Sequence, residues 1–169
     1  MSIIATDLDG TIFKGQTLID GVKEGLLKII NEGIEIYYTT NNSSQTPSEI
    51  KDKLEYLLQL NIDISRIITP LVIFQNLYSN NKSNIFIYGS DNLKNYIKNL
   101  NMNVTSLENA ELVLIGRKEE NNFSEINEII KSVSIGKNIL SLNKDLTFPT
   151  EFGEKAGNGA VVKIIEDEL

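Results

Sequence analysis

Two rhythms of apolar residues alternate along the chain. Short unbroken runs have the length of buried strands, and between them apolar positions recur three and four apart, as one face of a helix requires. The first run, Ile3-Ile4-Ala5, leads into Asp7-Leu8-Asp9-Gly10 and predicts a buried parallel strand closing in a turn. A helix is predicted from Asp20 as N-cap, with Val22, Leu26, Leu27 and Ile30 as its apolar face and Gly33 as its stop. Ile34 to Thr40, β-branched and aromatic, reads as the next strand. Thr46-Pro47-Ser48-Glu49 opens a second helix: Thr46 caps, Pro47 suits the first helical position and Glu49 completes a capping box. Ile50, Leu54, Leu57 and Leu58 form its apolar stripe. Arg66-Ile67-Ile68 predicts a short third strand, and Thr69-Pro70 another helix.

The alternation restarts near Asn84. Strands are predicted at Ile85 to Tyr88, around Val104, at Leu112 to Ile115 and at Ile139 to Leu142. Helices are predicted near Leu93 to Leu100, from Phe123 to Val133 with a cap near Ser124, and from about Gly159 after a loop. Alternating strands and helices imply an α/β fold with parallel sheets. The polar stretch Tyr78 to Asn84 is the expected linker, dividing the chain at about 82/83.

Composition narrows the chemistry. The 169 residues contain no Cys and no His, which removes thiol nucleophiles, disulfides, the usual zinc ligand sets and Ser–His catalysis. Acid–base work then falls to carboxylates, Lys or Tyr. The net charge is −7, the only arginines are Arg66 and Arg117, and no run of basic residues is present, so no nucleic-acid partner is expected. An acidic protein that handles a phosphorylated substrate calls for a cation. No apolar run has signal-peptide or membrane-spanning length, and a cytoplasmic protein without a membrane partner is expected.

Asp7-Leu8-Asp9-Gly10-Thr11 is the strongest chemical signal. Carboxyl ends of strands are where open α/β sheets place their sites. Two carboxylates one residue apart point the same way if strand geometry continues, so one can attack phosphorus while the other protonates the leaving oxygen. The other reading is an Asp-Gly turn in a hairpin. The second signal, Thr39-Thr40-Asn41-Asn42-Ser43-Ser44, follows a strand and offers hydroxyl, amide and backbone N–H donors. Alone it is an ordinary polar loop.

Together these segments resemble the haloacid dehalogenase-like hydrolases, in the branch called p-nitrophenylphosphatase-like or phosphoglycolate-phosphatase-like. Ile67-Ile68-Thr69, Leu142-Asn143-Lys144-Asp145 with Phe148-Pro149, and Ala156-Gly157-Asn158-Gly159-Ala160 extend the resemblance over the chain. It implies a partial Rossmann-like parallel-sheet core followed by a smaller α/β cap domain, with 1–82 the N-terminal part of the core and 83–169 the cap. It implies hydrolysis of small phosphate monoesters through an aspartyl-phosphate. Asp7 is then the nucleophile, Asp9 the general acid and later base, and Thr40, Asn41 and Gly10 the phosphate cradle. Mg²⁺ would be held by Asp7 and Asp9. Asn143 and Asp145 would lie on a substrate-facing cap loop, or form a turn with Asx-type backbone bonds.

The family pattern continues to a Gly-Lys-Pro segment and a Gly-Asp…Asp segment, which these residues do not include. Gly116-Arg117-Lys118 stands where the branch has an Asp shortly after the Gly. The alternatives are therefore a catalytically incomplete phosphate-binding module, or one half of a split phosphatase. The first strand is expected to show an apolar edge that pairs with a second copy or with a partner chain completing the core, unless the chain is a fragment.

Overall fold

The computed structural model describes every residue except Met1, Asn81, Glu119, Glu151 and Phe152, with backbone only at 148, 149 and 150. It divides into two compact units, Met1–Ile73 and Phe74–Leu169, so the division falls inside a helix ahead of the polar stretch, and the second unit is the longer.

In the first unit, β1 (Ile3–Asp7) pairs in parallel with β4 (Glu35–Thr39), which pairs in parallel with β5 (Ile67–Ile68). Between β1 and β4 run a small hairpin, β2 (Phe13–Lys14) with β3 (Thr17–Leu18), and helix α1 (Val22–Asn31). Helix α2 (Pro47–Leu58) and a 3-10 turn (Ile64–Arg66) connect β4 to β5. The core gathers Leu8, Ile12, Phe13, Ile36, Tyr38, Ile50, Leu54 and Leu58 among others. Burying a side chain such as Leu54 contributes roughly 2 kcal/mol.

The capping box of α2 forms as its sequence predicts: Glu49 N–H donates to Thr46 Oγ1, and Thr46 N–H donates to Glu49 Oε2 at 2.7 Å. The start of α1 differs. Gly21, in the left-handed region at φ 78°, occupies the N-cap without a side-chain bond, so Asp20 does not cap. The buried face also shifts: Leu26 is buried and Val22 and Ile29 pack beside it, while Ile30 is 43% exposed.

Only one side of β1 has a strand neighbour among the described residues. Its apolar residues stay open, Ile3 at 60% and Ile4 at 37% exposure. That is the unpaired apolar edge expected for the first strand, on the strand that carries Asp7.

Helix α3 (Pro70–Tyr78) leads into the second unit. There β6 (Ile85–Tyr88), β7 (Leu112–Ile115) and β8 (Asn138–Ser141) form a parallel sheet in that order. Helix α4 (Asp91–Asn99) follows β6, and α5 (Phe123–Ser134) follows β7. After β8 come an antiparallel hairpin, β9 (Thr147–Thr150) with β10 (Gly153–Ala156), and helix α6 (Asn158–Asp167). Val104 makes a single bridge to Ile85 and no strand. The cap of α5 is Asn122, whose side chain accepts from Ser124 and Glu125 N–H, two residues ahead of the expected Ser124. The Lys137 ammonium donates to the carbonyls of Leu107, Glu108 and Ala110 at 2.7–2.8 Å, tying that turn to β8. Among the described residues no helix is long and apolar enough to cross a membrane.

Candidate active site

Asp7 ends β1 and lies in register with Thr39, so the carboxyl ends of β1 and β4 stand side by side. Thr39 fixes that register further by donating its hydroxyl to Thr6 O at 3.1 Å. Leu8, 1% exposed, then turns the chain inward, and its carbonyl accepts from Ile12 and Phe13 N–H. Gly10 adopts φ 85°, a conformation that side chains rarely take. Its N–H donates to Phe13 O at 2.8 Å, so Gly10 serves the site by making the turn.

Thr40 follows β4 and is anchored by its N–H to Ile68 O at 3.1 Å. Its buried hydroxyl accepts from Asn42 N–H at 3.0 Å and works to lower the pKa of the Asp9 carboxyl. The loop beyond is stitched by Asn42, whose Oδ1 accepts from Ser44 N–H at 2.8 Å and Ser44 Oγ–H at 2.7 Å. Asn41 stays exposed between these fixed residues.

Partial burial pushes the Asp9 carboxyl above the ordinary carboxylate range, and the neighbouring Asp7 charge adds to this. The Lys53 charge and the Thr40 hydroxyl bond act the other way. Lys53, on α2, has its ammonium 3.6 Å from the centroid of the Phe13 ring. Burial lowers its pKa, and Asp9 works against that. Sequence reasoning missed Lys53, although a signal existed. It sits at i+3 from Ile50 and i−4 from Leu57, inside the apolar stripe, where a charge needs a reason.

Hence Asp7, Asp9 and Thr40 come together, with Lys53 added. Asn143 and Asp145 lie in the second unit, in the loop after β8. There Ser141 Oγ–H donates to Asn143 O, Asp145 O accepts from Gly159 N–H at 2.9 Å, and Leu146 O accepts from Gly157 N–H at 2.8 Å. Also in the second unit, Gly89, Ser90, Asp91, Lys94, Lys118 and Glu120 line an open cleft of about 460 Å³ at the carboxyl ends of β6 and β7.

Fold and site define a Rossmann-like α/β protein with an aspartate pair at the end of its first strand and a threonine hydroxyl at the end of the next. The chain belongs to the haloacid dehalogenase-like hydrolases, whose family model matches residues 4–103. An acid sugar phosphatase of Staphylococcus haemolyticus is 31% identical over 163 residues, covering 94% of this chain and 61% of that protein. The chain thus spans about three fifths of that relative's length. The p-nitrophenyl phosphatase structure from Archaeoglobus fulgidus has the same fold, with TM-score 0.87 and 22% identity over 97% of this chain and 63% of that one. So does the glycerol phosphate phosphatase of Mycobacterium tuberculosis in complex with magnesium, with TM-score 0.83 and 23% identity over 99% of this chain and 51% of that one.

Proposed function

We propose that this chain carries the nucleophile half of a phosphate monoester hydrolase acting on small organic phosphates. The observation that carries the reading is the adjacency of the two strand ends: Asp7 closes β1 in register with Thr39, so the aspartate turn and the Thr40 loop stand side by side. Asp7 carboxylate attacks phosphorus, and the P–O bond to the leaving group breaks. The leaving oxygen takes the proton of Asp9, whose raised pKa suits an acid. Asp9, now a carboxylate, takes a proton from water as that water attacks the aspartyl-phosphate, returning Asp7 and releasing phosphate. Thr40 and Asn41 offer donors to the phosphoryl oxygens. The names of the relatives, an acid sugar phosphatase and a p-nitrophenyl phosphatase, support a small monoester as substrate. The absence of Cys suits a reducing cytoplasm.

Asp7 and Asp9 offer hard oxygen donors of the kind Mg²⁺ takes. Among the described residues no group of three or more acidic side chains could hold a metal, so Asp7 and Asp9 would supply only part of an ion's shell. Such an ion would be held by the Asp7 carboxylate and the Asp9 carbonyl, and would offset the repulsion between carboxylate and phosphate. The magnesium complex of the structurally similar glycerol phosphate phosphatase supports this.

The exposed edge of β1 favours a second element to the reading: turnover needs a neighbour at that edge, supplied by further core residues, by another copy or by a partner chain. The test is Mg²⁺-dependent phosphate release from an aryl phosphate, with Asp7→Asn as control. Turnover above the control is expected for the assembled protein. Equal rates at every protein concentration would overturn the hydrolase reading for this chain alone and leave a phosphate-binding module.

A further inference from the structure

The chain leaves the sheet of the second unit in two directions. From β6 it runs through α4 to the parallel bridge at Val104, on the edge of β6 away from β7. There Ile85 N–H donates to Asn103 O at 2.8 Å, and Thr105 N–H donates to Ile85 O at 2.9 Å. From β7 it runs through α5 to β8, on the other side. The two helices cover opposite faces. Leu93 of α4 lies within 2.2 Å of where a β-carbon on Gly116 would stand, on the face that Leu112 and Leu114 share. Ile126 and Ile129 of α5 pack with Val113 and Ile115, on the other face. Right-handed crossovers that leave a parallel sheet in opposite directions use opposite faces. β6 and β7 therefore flank a topological switch point. The crevice outside the carboxyl ends of two such strands is where open α/β sheets take their ligands.

The cleft of about 460 Å³ opens at that place, lined by Ser90 and Lys94 after β6 and by Lys118 and Glu120 after β7. Its volume suits a small molecule. Chain path and cavity thus mark one spot independently. Two ammonium groups line it. Lys94 reaches Asp91 only at 3.5 Å, and the Asp91 side chain is 92% exposed, so this pair leaves the Lys94 charge available. Lys118 is held in place by its ion pair with Glu125 and by the Tyr88 ring, whose centroid is 4.7 Å from the ammonium. Tyr88 is itself fixed, donating its hydroxyl to Asn121 Oδ1 and accepting from Asn122 N–H. Ser90 Oγ accepts from Leu93 N–H and starts α4 beside the cleft. Glu120 adds an exposed acceptor.

We propose that this cleft is a second ligand site, in the unit that does not hold the aspartate pair. It takes a small hydroxylated organic anion, with the charged group at Lys94 and Lys118 and a hydroxyl donating to Glu120. The proposal stands without the phosphoryl-transfer reading.

The test is amide NMR of the whole chain, titrated without divalent cation with glycerol phosphate and, separately, with glycerate. The two probes share hydroxyls and differ in the anionic group. Amides at 89–94 and 116–120 should shift with at least one probe; the tighter one names phosphate or carboxylate as the anion, and equal affinities mean that charge alone selects. Lys94→Gln and Lys118→Gln should each weaken binding about tenfold, the scale of a lost charge-assisted hydrogen bond. Lys98→Gln removes the same charge from the same helix outside the cleft and should stay within about twofold of wild type. Asp7→Asn should leave the cleft shifts and affinities unchanged. Lys94 is partly exposed, so a matching melting temperature in Lys94→Gln keeps the result readable even if Lys118→Gln loses structure. Shifts confined to the first unit, equal losses in Lys94→Gln and Lys98→Gln, or no binding of either probe would each overturn the proposal.

Discussion

The α-carbon of Gly159 lies against the carbonyl oxygen of Lys144, so close that a β-carbon there would come within 2.1 Å of it. Gly157 stands in the same relation to Asp145 O, at 2.3 Å. The loop holding Asn143 and Asp145 is thus packed against the start of α6, with backbone meeting backbone.

Backbone cannot step aside as a side chain can, so Gly159→Ala should destabilise the protein by about 2 kcal/mol or more, as overpacking does. Gly25 gives the contrast. It lies within α1, has nothing within 4 Å of its added β-carbon and has no positive φ. Gly25→Ala should stabilise by about 0.5–1 kcal/mol through helix propensity. Urea denaturation of the two variants beside wild type checks both signs.

The Thr40 hydroxyl accepts from Asn42 N–H and acts to lower the pKa of the Asp9 carboxyl. Thr40→Val keeps the shape and removes the bond. A loss of about tenfold or more in kcat/KM for an aryl phosphate is expected, the scale of a hydrogen bond to a charged group. Thr40→Ser should recover most of it. Steady-state kinetics under conditions where Asp7→Asn is inactive reads the difference.

Glu55 accepts the Ile62 N–H at 2.9 Å and pairs with Lys51, and these hold its carboxyl below the ordinary range. A depressed folded pKa contributes stability above the unfolded value of about 4.3, and that contribution is lost as pH falls through the folded pKa. Wild type should therefore melt above Glu55→Gln at neutral pH. The gap should close on acidification below that unfolded value, which a series of thermal melts measures.

Ile3 and Ile4 lie on a strand with a single neighbour among the described residues. Wild-type protein should show concentration-dependent association in sedimentation velocity. Ile3→Lys with Ile4→Lys should abolish it, because charge on an edge strand blocks pairing.

Much of this architecture was legible because its signals are local. Thr46, Pro47 and Glu49 specify a helix start by short-range bonding, and the structure repeats it bond for bond. The placement of Asp7 at the carboxyl end of β1 was legible because an apolar run leads straight into it. What escaped was set by contacts distant in sequence or by very short elements. Hairpin β2–β3 has two-residue strands, too short for any period to register. Hairpin β9–β10 includes Gly153–Ala156, exposed throughout and without alternation. Asp20 loses the N-cap to Gly21 because the chain enters α1 through a left-handed residue, a choice no composition rule encodes. Lys53 gains its meaning only when Phe13, forty positions earlier, is folded beneath it.

The strand that presents Asp7 is also the strand whose far edge stands open. Were a neighbour to dock at that edge, docking and loading of the aspartate pair would belong to one thermodynamic cycle. If a neighbour tightens ligand binding by some factor, the ligand must tighten the grip on that neighbour by the same factor. Substrate would then act as a glue for the assembly, and dilution as an off switch.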